Sequence, residues 1–128
     1  KMLEILKNEK ENREIRFSAI RYFEKFPSGD AQPVILNLAE NLENRTWEYQ
    51  AIATSALKSY PGDTTFRILV KNLSSSNWHV RQNSAISCEK LGYTYQDLIG
   101  VFDGNDRYAR EIIRYRLDRR NAEEVVKA

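Results

Sequence analysis

Apolar and polar residues alternate with a helical period in four segments of the chain that align without gaps. The segments start at Ile15, Tyr49, Val80 and Ala109, so the starts are 34, 31 and 29 residues apart. Apolar or small residues occupy the first, fifth and ninth positions: Ile15, Ala19 and Phe23; Tyr49, Ala53 and Leu57; Val80, Ser84 and Cys88; Ala109, Ile113 and Leu117. A spacing of four places these side chains on one face of a helix. The pattern predicts one amphipathic helix in each segment.

Residues that start and stop helices flank the four segments. Three residues before the first position stand Asn12, Thr46, Asn77 and Asp106. Such side chains accept hydrogen bonds from the free N–H groups of a first helical turn. At the thirteenth position stand Pro27, Pro61 and Gly92, which end helices by removing a donor or by allowing a left-handed turn. We therefore expect first helices of about fifteen residues.

A second apolar pattern follows the first in three of the segments. Its members align as Ile35, Leu38, Ala39 and Leu42; Phe66, Leu69, Val70 and Leu73; and Tyr95, Leu98, Ile99 and Phe102. Asp30, Asp63 and Thr94 are the predicted N-caps of these second helices. Met2, Leu3 and Leu6 match the end of the same pattern, so we expect the chain to begin inside the second helix of an earlier repeat.

Helix pairs that recur every thirty or so residues predict an all-α solenoid. One pair cannot bury both of its apolar faces, so neighbouring pairs stack on each other. We expect a single domain over residues 1–128. It divides into the end of an earlier repeat at 1–11, repeats at 12–45, 46–76 and 77–105, and a C-terminal capping repeat at 106–128.

The segment VRQNSAISCEKLG, residues 80–92, resembles the bacterial HEAT repeat, and this resemblance covers nearly the whole chain. It implies a right-handed superhelix of antiparallel helix pairs. The end of the chain, WHVRQNSAISCEKLG followed by GNDRYAREIIRYRL, is similar to the C-terminal repeats of bacterial HEAT proteins, some of which carry an N-terminal membrane anchor. The resemblance implies a piece of a longer protein, located in the cytoplasm or held at the cytoplasmic face of a membrane by an upstream anchor. Tyr49 and Gln50 stand where the HEAT-repeat pattern usually has a Val-Arg pair.

Composition narrows the possible partners of the chain. Its 128 residues fit one domain, and the net charge of +2 gives no broad electrostatic footprint for a polyanion. The single cysteine, Cys88, cannot form an intramolecular disulfide, which fits a reducing compartment. No apolar run is long enough to span a bilayer. We therefore expect a cytoplasmic location and no membrane insertion by this segment.

The sequence contains no recognisable catalytic or metal-binding motif. His79 is the only histidine and has no partner at a metal-ligand spacing, so we expect an exposed side chain in the first turn of its helix. Cys88 falls on a repeated core position, where a free cysteine acts as a small buried hydrophobe. A Gly-rich phosphate loop, a Ser/His/Asp set and a paired-carboxylate motif are not recognisable. We predict that the protein is not an enzyme and takes no cofactor.

Two tryptophans, Trp47 and Trp78, stand two residues before the first position of their segments. They allow two interpretations, an exposed stacking platform or a wedge between neighbouring repeats. We expect the wedge, because an element found in two successive repeats usually has the same structural role in both.

The last segment, DRYAREIIRYRLDRR, is rich in arginine. Arg107, Arg110 and Arg119 fall where earlier repeats also carry basic residues, whereas Arg114, Arg116 and Arg120 replace residues that are mostly apolar or small. A terminal repeat has no successor to cover it and needs a polar outer face. We expect the three arginines to form a solvated cap. The alternatives are a basic surface that binds protein or acidic ligands, and a nucleic-acid site.

These observations favour a non-catalytic scaffold that binds a protein partner on the concave face of the second helices. The candidate binding residues lie between the core positions of these helices: Asn37, Glu40, Asn41, Arg67, Lys71, Asn72, Gln96 and Asp97. Their mixed charge suits a protein better than a polyanion. The alternative is a nucleic-acid-binding module resembling the HEAT-like alkylation-repair glycosylases. That module would need a basic concave face with aromatic residues and an acidic catalytic residue, so we do not expect nucleic acid as the partner.

Overall fold

A computed structural model describes residues 1–127, which contain eight α-helices, one short 3-10 turn and no β-strand. The helices are α1 (Met2–Lys7), α2 (Arg13–Lys25), α3 (Gln32–Glu40), α4 (Trp47–Ala56), α5 (Asp63–Asn72), α6 (Trp78–Lys90), α7 (Ile99–Phe102) and α8 (Arg107–Lys127). The 3-10 turn, Leu57–Ser59, extends α4. The prediction of an all-α fold is confirmed. Ala128, the last residue of the predicted capping repeat, lies outside the described residues.

The helices pack on neighbours both in sequence and one step further along the chain. Helix α2 packs on α4, α4 on α6, and α6 on α8, while α3 packs on α5. Each of these is joined to the helix next to it in sequence through the pairs α1 with α2, α3 with α4, α5 with α6 and α7 with α8. All the buried apolar residues of the described chain except Ala51 and Val80 belong to one core cluster.

Three of the four predicted caps of the long helices are confirmed. Asn12, Asn77 and Asp106 accept hydrogen bonds from backbone N–H groups in the first turns of α2, α6 and α8, with N···O distances from 2.8 to 3.3 Å. Each bond satisfies a donor that the helix itself cannot pair. Thr46 precedes α4, but its side chain makes no capping bond.

The apolar register of the long helices is confirmed at two of its three positions. The residues at the fifth and ninth positions are all buried: Ala19, Phe23, Ala53, Leu57, Ser84, Cys88, Ile113 and Leu117. The first position is less uniform, because Val80 and Ala109 are buried whereas Ile15 is exposed. Next to Ile15, the buried Arg16 donates from Nη2 to the carbonyl of Leu6 at 2.7 Å, so a guanidinium contacts the end of α1 there.

The second helices are shorter than the sequence pattern predicts. Helix α3 ends at Glu40 because Asn41 adopts a left-handed conformation with φ of 55°, and Leu42, predicted as a core residue, is exposed. Helix α7 is a single turn in which Ile99, also predicted as core, is exposed, while Leu98 just before it is buried. The predicted core membership of Leu42 and Ile99 is therefore wrong.

The predicted caps of the second helices also need correction. Helix α3 starts after Ala31 rather than after Asp30, and Asp63 is the first residue of α5, which begins after Gly62. Thr94 does use its side chain at a turn start, since its Oγ1 accepts from the N–H of Asp97 at 3.1 Å. That turn leads into α7 without continuing as a longer helix.

Candidate protein-binding surface

Four side chains at the surface of α3 and α5 form a row of mixed charge, in which Glu40 is partly buried and the other three are exposed. On α3 they are Asn37 and Glu40, and on α5 they are Arg67 and Lys71, each pair spaced to share one helix face. The row crosses from one helix to the other, because Arg67 Nη1 donates to Glu40 Oε2 at 2.7 Å. We call these four residues the α3–α5 row. All four are among the binding residues predicted from sequence.

The electrostatics of the α3–α5 row follow from the contact between its two helices. The hydrogen bond from Arg67 holds the pKa of Glu40 below its ordinary value, and the charges of Arg67 and Lys71 act in the same direction. The same hydrogen bond raises the pKa of Arg67. Both groups are therefore charged at neutral pH, and Lys71 leaves an exposed positive charge beside the pair.

A cleft of about 340 Å³ opens beside Asn37, between the end of α1 and α3. Pro33, Val34 and Leu38 give the cleft apolar lining from α3. Its charged lining comes from Arg16 of α2, from the end of α1 and the residues after it, and from the loop after α3. In that loop Arg45 pairs with Glu9 and with Glu43, the latter at 2.8 Å. An apolar patch with a polar margin is the usual anatomy of a protein-binding site. The cleft was not predicted from sequence. The available signal was the spacing of Pro33, Asn37 and Glu40, which places the three residues on one face of α3.

Asn72 is not part of any exposed surface, which contradicts its predicted role. Only 2% of the residue is exposed. Its Nδ2 donates to the carbonyl of Ala39 at 2.9 Å and to Thr54 Oγ1 at 3.0 Å, and the Ala39 carbonyl also accepts from Gln50 at 3.2 Å. Ala39 O has lost its helical partner because α3 ends at the next residue. Asn72 therefore joins the end of α3 to α4 and α5.

Asn41 is committed to a turn. Its Oδ1 accepts from the N–H of Arg45 at 2.8 Å, and its Nδ2 lies 3.3 Å from Gln50 Oε1. Asparagine tolerates the left-handed conformation because its short polar side chain can bond locally. The partly buried Asn41 therefore shapes the connection between α3 and α4, and its amide is engaged there.

Gln96 and Asp97 are exposed, but they lie in the turn before α7 and not on a second helix. Asp97 Oδ2 accepts from the N–H of Thr94 at 2.9 Å, and Thr94 Oγ1 accepts from the N–H of Asp97. This reciprocal pair resembles a capping box and gives Asp97 a structural role. The segment continues into α7, which packs on α8.

Two of the three C-terminal arginines contact α6 rather than solvent alone. Arg120 donates to the carbonyls of Glu89 at 3.1 Å and Tyr93 at 2.8 Å, where α6 ends. The side chain of Arg116 is 15% exposed, and its Nη1 lies 3.6 Å from Glu89 Oε1. Arg114 is exposed, with its guanidinium carbon 5.4 Å from the centre of the Phe102 ring. The expected solvated cap is therefore wrong for Arg116 and Arg120, because the end of α6 offers backbone carbonyls to Arg120 and the Glu89 carboxylate to Arg116.

The two tryptophans are exposed, so the predicted wedge is wrong for Trp78, of which 62% is accessible. His79 lies between them. Its ring stacks on Trp47 at 4.8 Å with an interplanar angle of 15°, and it meets the Trp78 ring edge-on at 5.3 Å. The predicted exposure of His79 is confirmed. Trp47 of α4 therefore contacts α6 through His79.

The remaining candidate groups have ordinary structural roles. Burial raises the pKa of the Cys88 thiol to about 12, so the thiolate needed for nucleophilic chemistry does not form at neutral pH. Across residues 1–127 no group of three or more His, Cys, Asp or Glu side chains is arranged to hold a metal ion. None of the helices in the same range has both the length and the hydrophobicity needed to cross a membrane.

No protein-family model matches the chain, and a search of curated proteins returned no match.

Proposed function

We propose that this chain is a non-catalytic scaffold that binds a protein partner on the face presented by α3 and α5. In this proposal the helix pairs stack as a right-handed solenoid similar to HEAT repeats. The consecutive packing of α2, α4, α6 and α8, together with that of α3 on α5, supports such a stack. Repeated helix pairs of this kind create extended surfaces that suit large partners better than small substrates.

The proposal rests on one observation, the continuity between the apolar cleft and the α3–α5 row. Asn37 belongs to both, since it lines the cleft and stands one turn before Glu40 on the same helix face. A partner can insert an apolar side chain against Val34 and Leu38 while its charged residues meet Glu40, Arg67 and Lys71. A buried anchor surrounded by polar contacts is what supplies affinity and register in protein interfaces.

A nucleic-acid partner receives less support from the same contacts. Nucleic-acid affinity comes largely from cations that are free to neutralise phosphates. Arg67 is paired with Glu40, and Arg116 and Arg120 hold a carboxylate and backbone carbonyls of α6. Lys71 and Arg114 are the exposed cations left among the residues considered, and they belong to different elements.

Crosslinking tests the proposed surface. A photoreactive amino acid at position 37 should capture a defined protein in cells that produce this chain, while the same group at Arg21, an exposed position on α2, should not. The captured protein is then purified for direct affinity measurements. Equal capture at both positions, or at neither, would contradict the proposal.

A charge swap separates binding from stability. Arg67→Glu alone should repel Glu40 and weaken partner binding about tenfold, equivalent to about 1.4 kcal/mol. The double variant Glu40→Arg with Arg67→Glu restores an ion pair between α3 and α5 but reverses the charge at each site. We expect it to unfold at nearly the same temperature as the natural chain and still to bind the partner weakly. Full recovery of partner affinity in the double variant would show that the row is only structural.

A further inference from the structure

A second groove, unconnected with the α3–α5 row, lies between α6 and α8 and has a volume of about 480 Å³. Helix α6 contributes Trp78, Arg81 and Gln82, and helix α8 contributes Tyr108, Glu111, Ile112 and Tyr115. Three of these are large aromatic residues with more than half of their surface accessible: Trp78 at 62%, Tyr108 at 65% and Tyr115 at 62%. Single exposed aromatics are common, whereas a group that lines one groove marks a binding site.

The groove offers hydrogen-bond donors without protein partners. Two tyrosine hydroxyls elsewhere in residues 1–127 are used internally: Tyr60 donates to the carbonyl of Phe23 at 2.7 Å, and Tyr95 donates to Asp118. Within residues 1–127 the hydroxyls of Tyr108 and Tyr115 and the indole N–H of Trp78 have no such bonds. The groove therefore suits a ligand rich in free acceptors.

The charged groups at the groove are already occupied. Arg81 donates from Nε and Nη2 to the carbonyl of Ser75, at 3.1 and 2.7 Å, and its guanidinium lies 5.5 Å from the centre of the Tyr108 ring. Glu111, the carboxylate in the groove lining, pairs with Arg107 from outside the lining at 3.0 Å. Because these cations are engaged, the groove does not favour a phosphate or an acidic peptide. A neutral ligand matches its charge.

The spacing of the tyrosines selects among neutral peptides. Tyr108 and Tyr115 are seven residues apart on one helix, which corresponds to about 10 Å at the rise of an α-helix. One turn of a polyproline II helix covers about 9 Å, so residues three apart in such a peptide meet successive rings. A polyproline II backbone has no internal hydrogen bonds, and its carbonyls remain free to accept from indole and hydroxyl donors. An α-helical ligand has a compatible spacing but uses its carbonyls internally.

We propose that the groove between α6 and α8 binds a neutral, proline-rich peptide in the polyproline II conformation. Trp78, Tyr108 and Tyr115 stack against proline rings and donate hydrogen bonds to the peptide carbonyls. Gln82 lies on the α6 side of the groove and forms a hydrogen bond with an adjacent backbone group of the peptide. Ile112, which is half-buried, provides apolar contact between the two tyrosines.

Calorimetric titration with an oligoproline of about twelve residues, which spans about four turns, tests this proposal. We expect saturable binding to the natural chain and none of a glycine-serine peptide of equal length. Trp78→Ala and Tyr108→Ala should each weaken oligoproline binding about tenfold or more, as truncation of a central aromatic contact does. Tyr22→Ala removes an exposed tyrosine on α2, outside the groove, and should leave the affinity unchanged.

A conservative variant keeps the test decisive if an alanine variant fails to fold. Tyr115→Phe preserves the ring and removes only the hydroxyl, so it should weaken binding about threefold to tenfold through the loss of one hydrogen bond. Absence of saturation up to about 1 mM oligoproline would overturn the proposal. Equal affinity in all variants, or tighter binding of a helical peptide or single-stranded DNA than of oligoproline, would also overturn it. The α3–α5 row takes no part in these measurements, so its own test is independent.

Discussion

Helix α6 packs on both α4 and α8, and different side chains connect the helices at these two junctions. In the first, small polar residues of α6 reach the backbone of α4. Asn83 Nδ2 donates to the carbonyl of Ala51 at 2.9 Å, and Ser87 Oγ donates to the carbonyl of Thr54 at 2.8 Å. In the second, long side chains of α8 reach the end of α6, through Arg116 and Arg120. Both junctions therefore join helices through polar groups as well as through the apolar core.

The comparison is informative because Ser87 and Arg116 occupy the same position, the eighth, in their aligned segments. Each points back toward the preceding long helix, Ser87 to Thr54 of α4 and Arg116 to Glu89 of α6. The helical register therefore fixes the direction of the side chain, and the residue type fixes which group it reaches. A charged residue at this position does not by itself indicate a solvated end.

The largest expected effect concerns the apolar core of the central junction. Leu57 is fully buried in the 3-10 turn that contacts α2, α3 and α6. Leu57→Ala should lower the free energy of unfolding by about 2 to 5 kcal/mol, because it removes buried methyl groups and leaves a cavity. Chemical denaturation measures this change.

Lys58→Ala is the matched control for Leu57→Ala. Lys58 is only partly exposed and pairs with Glu24 at 3.1 Å, and an ion pair near the surface contributes about 1 kcal/mol or less. Equal losses of unfolding free energy in the two variants would show that the polar contacts, and not the apolar register, dominate the central junction.

The next effect tests the hydrogen bonds that join α5 to α3 and α4. Asn72→Ala removes the donors that satisfy Ala39 O and Thr54 Oγ1, so it should lower the unfolding free energy by about 1 to 3 kcal/mol. Asn37→Ala, on the exposed face of α3, should change it by about 0.5 kcal/mol or less. Thermal or chemical unfolding of both variants gives the comparison. An unchanged stability for Asn72→Ala would show that these hydrogen bonds contribute little to the fold.

The long helices could be predicted from sequence because their signals are local. Asn12 and Asn77 cap helices through bonds to residues two and three positions away. The residues at the fifth and ninth positions are buried because they lie on the apolar face of their own helix, which the helical period alone predicts. At these positions the local helix preference and the burial in the folded chain agree. Such agreement allows a structure to be predicted from a sequence pattern.

The second helices were harder to predict because their ends depend on distant contacts. Asn72 has the sequence environment of a surface residue, but it is buried because α3 ends at Glu40 and exposes the carbonyl of Ala39 to it. Leu42 follows the apolar pattern, yet the left-handed Asn41 takes it out of the helix. Neither outcome is visible in the periodicity of one helix alone.

The same dependence on distant contacts limits the prediction of the candidate surfaces. The four residues of the α3–α5 row could be selected from sequence, because exposure between apolar positions follows from the helical period. The aromatic groove could not, since it requires that Trp78 of α6 and Tyr108 of α8 lie side by side. A direct sequence signal existed only within α8, where Tyr108 and Tyr115 share a face, and the surrounding arginines obscured it.

The smallest expected effect tests the C-terminal junction. Arg120→Gln removes charge-assisted bonds to the carbonyls of Glu89 and Tyr93, and it should lower the unfolding free energy by about 1.5 kcal/mol. Arg114→Gln, which alters an exposed arginine of the same helix, should have a smaller effect of about 0.5 kcal/mol, the value of an exposed cation–π contact with Phe102. Urea denaturation of both variants measures the difference.

Hydrogen exchange sharpens the interpretation of these two arginine variants. If Arg120 holds the end of α6, Arg120→Gln should speed amide exchange at residues 90–93 and in the last turns of α8, while α4 keeps its protection. Arg114→Gln should leave all of these rates unchanged. Identical stability and exchange in the two variants would mean that both arginines are solvated. In that case hydrogen bonds would join α4 to α6, whereas α6 and α8 would be joined by apolar packing and the Arg116–Glu89 pair alone.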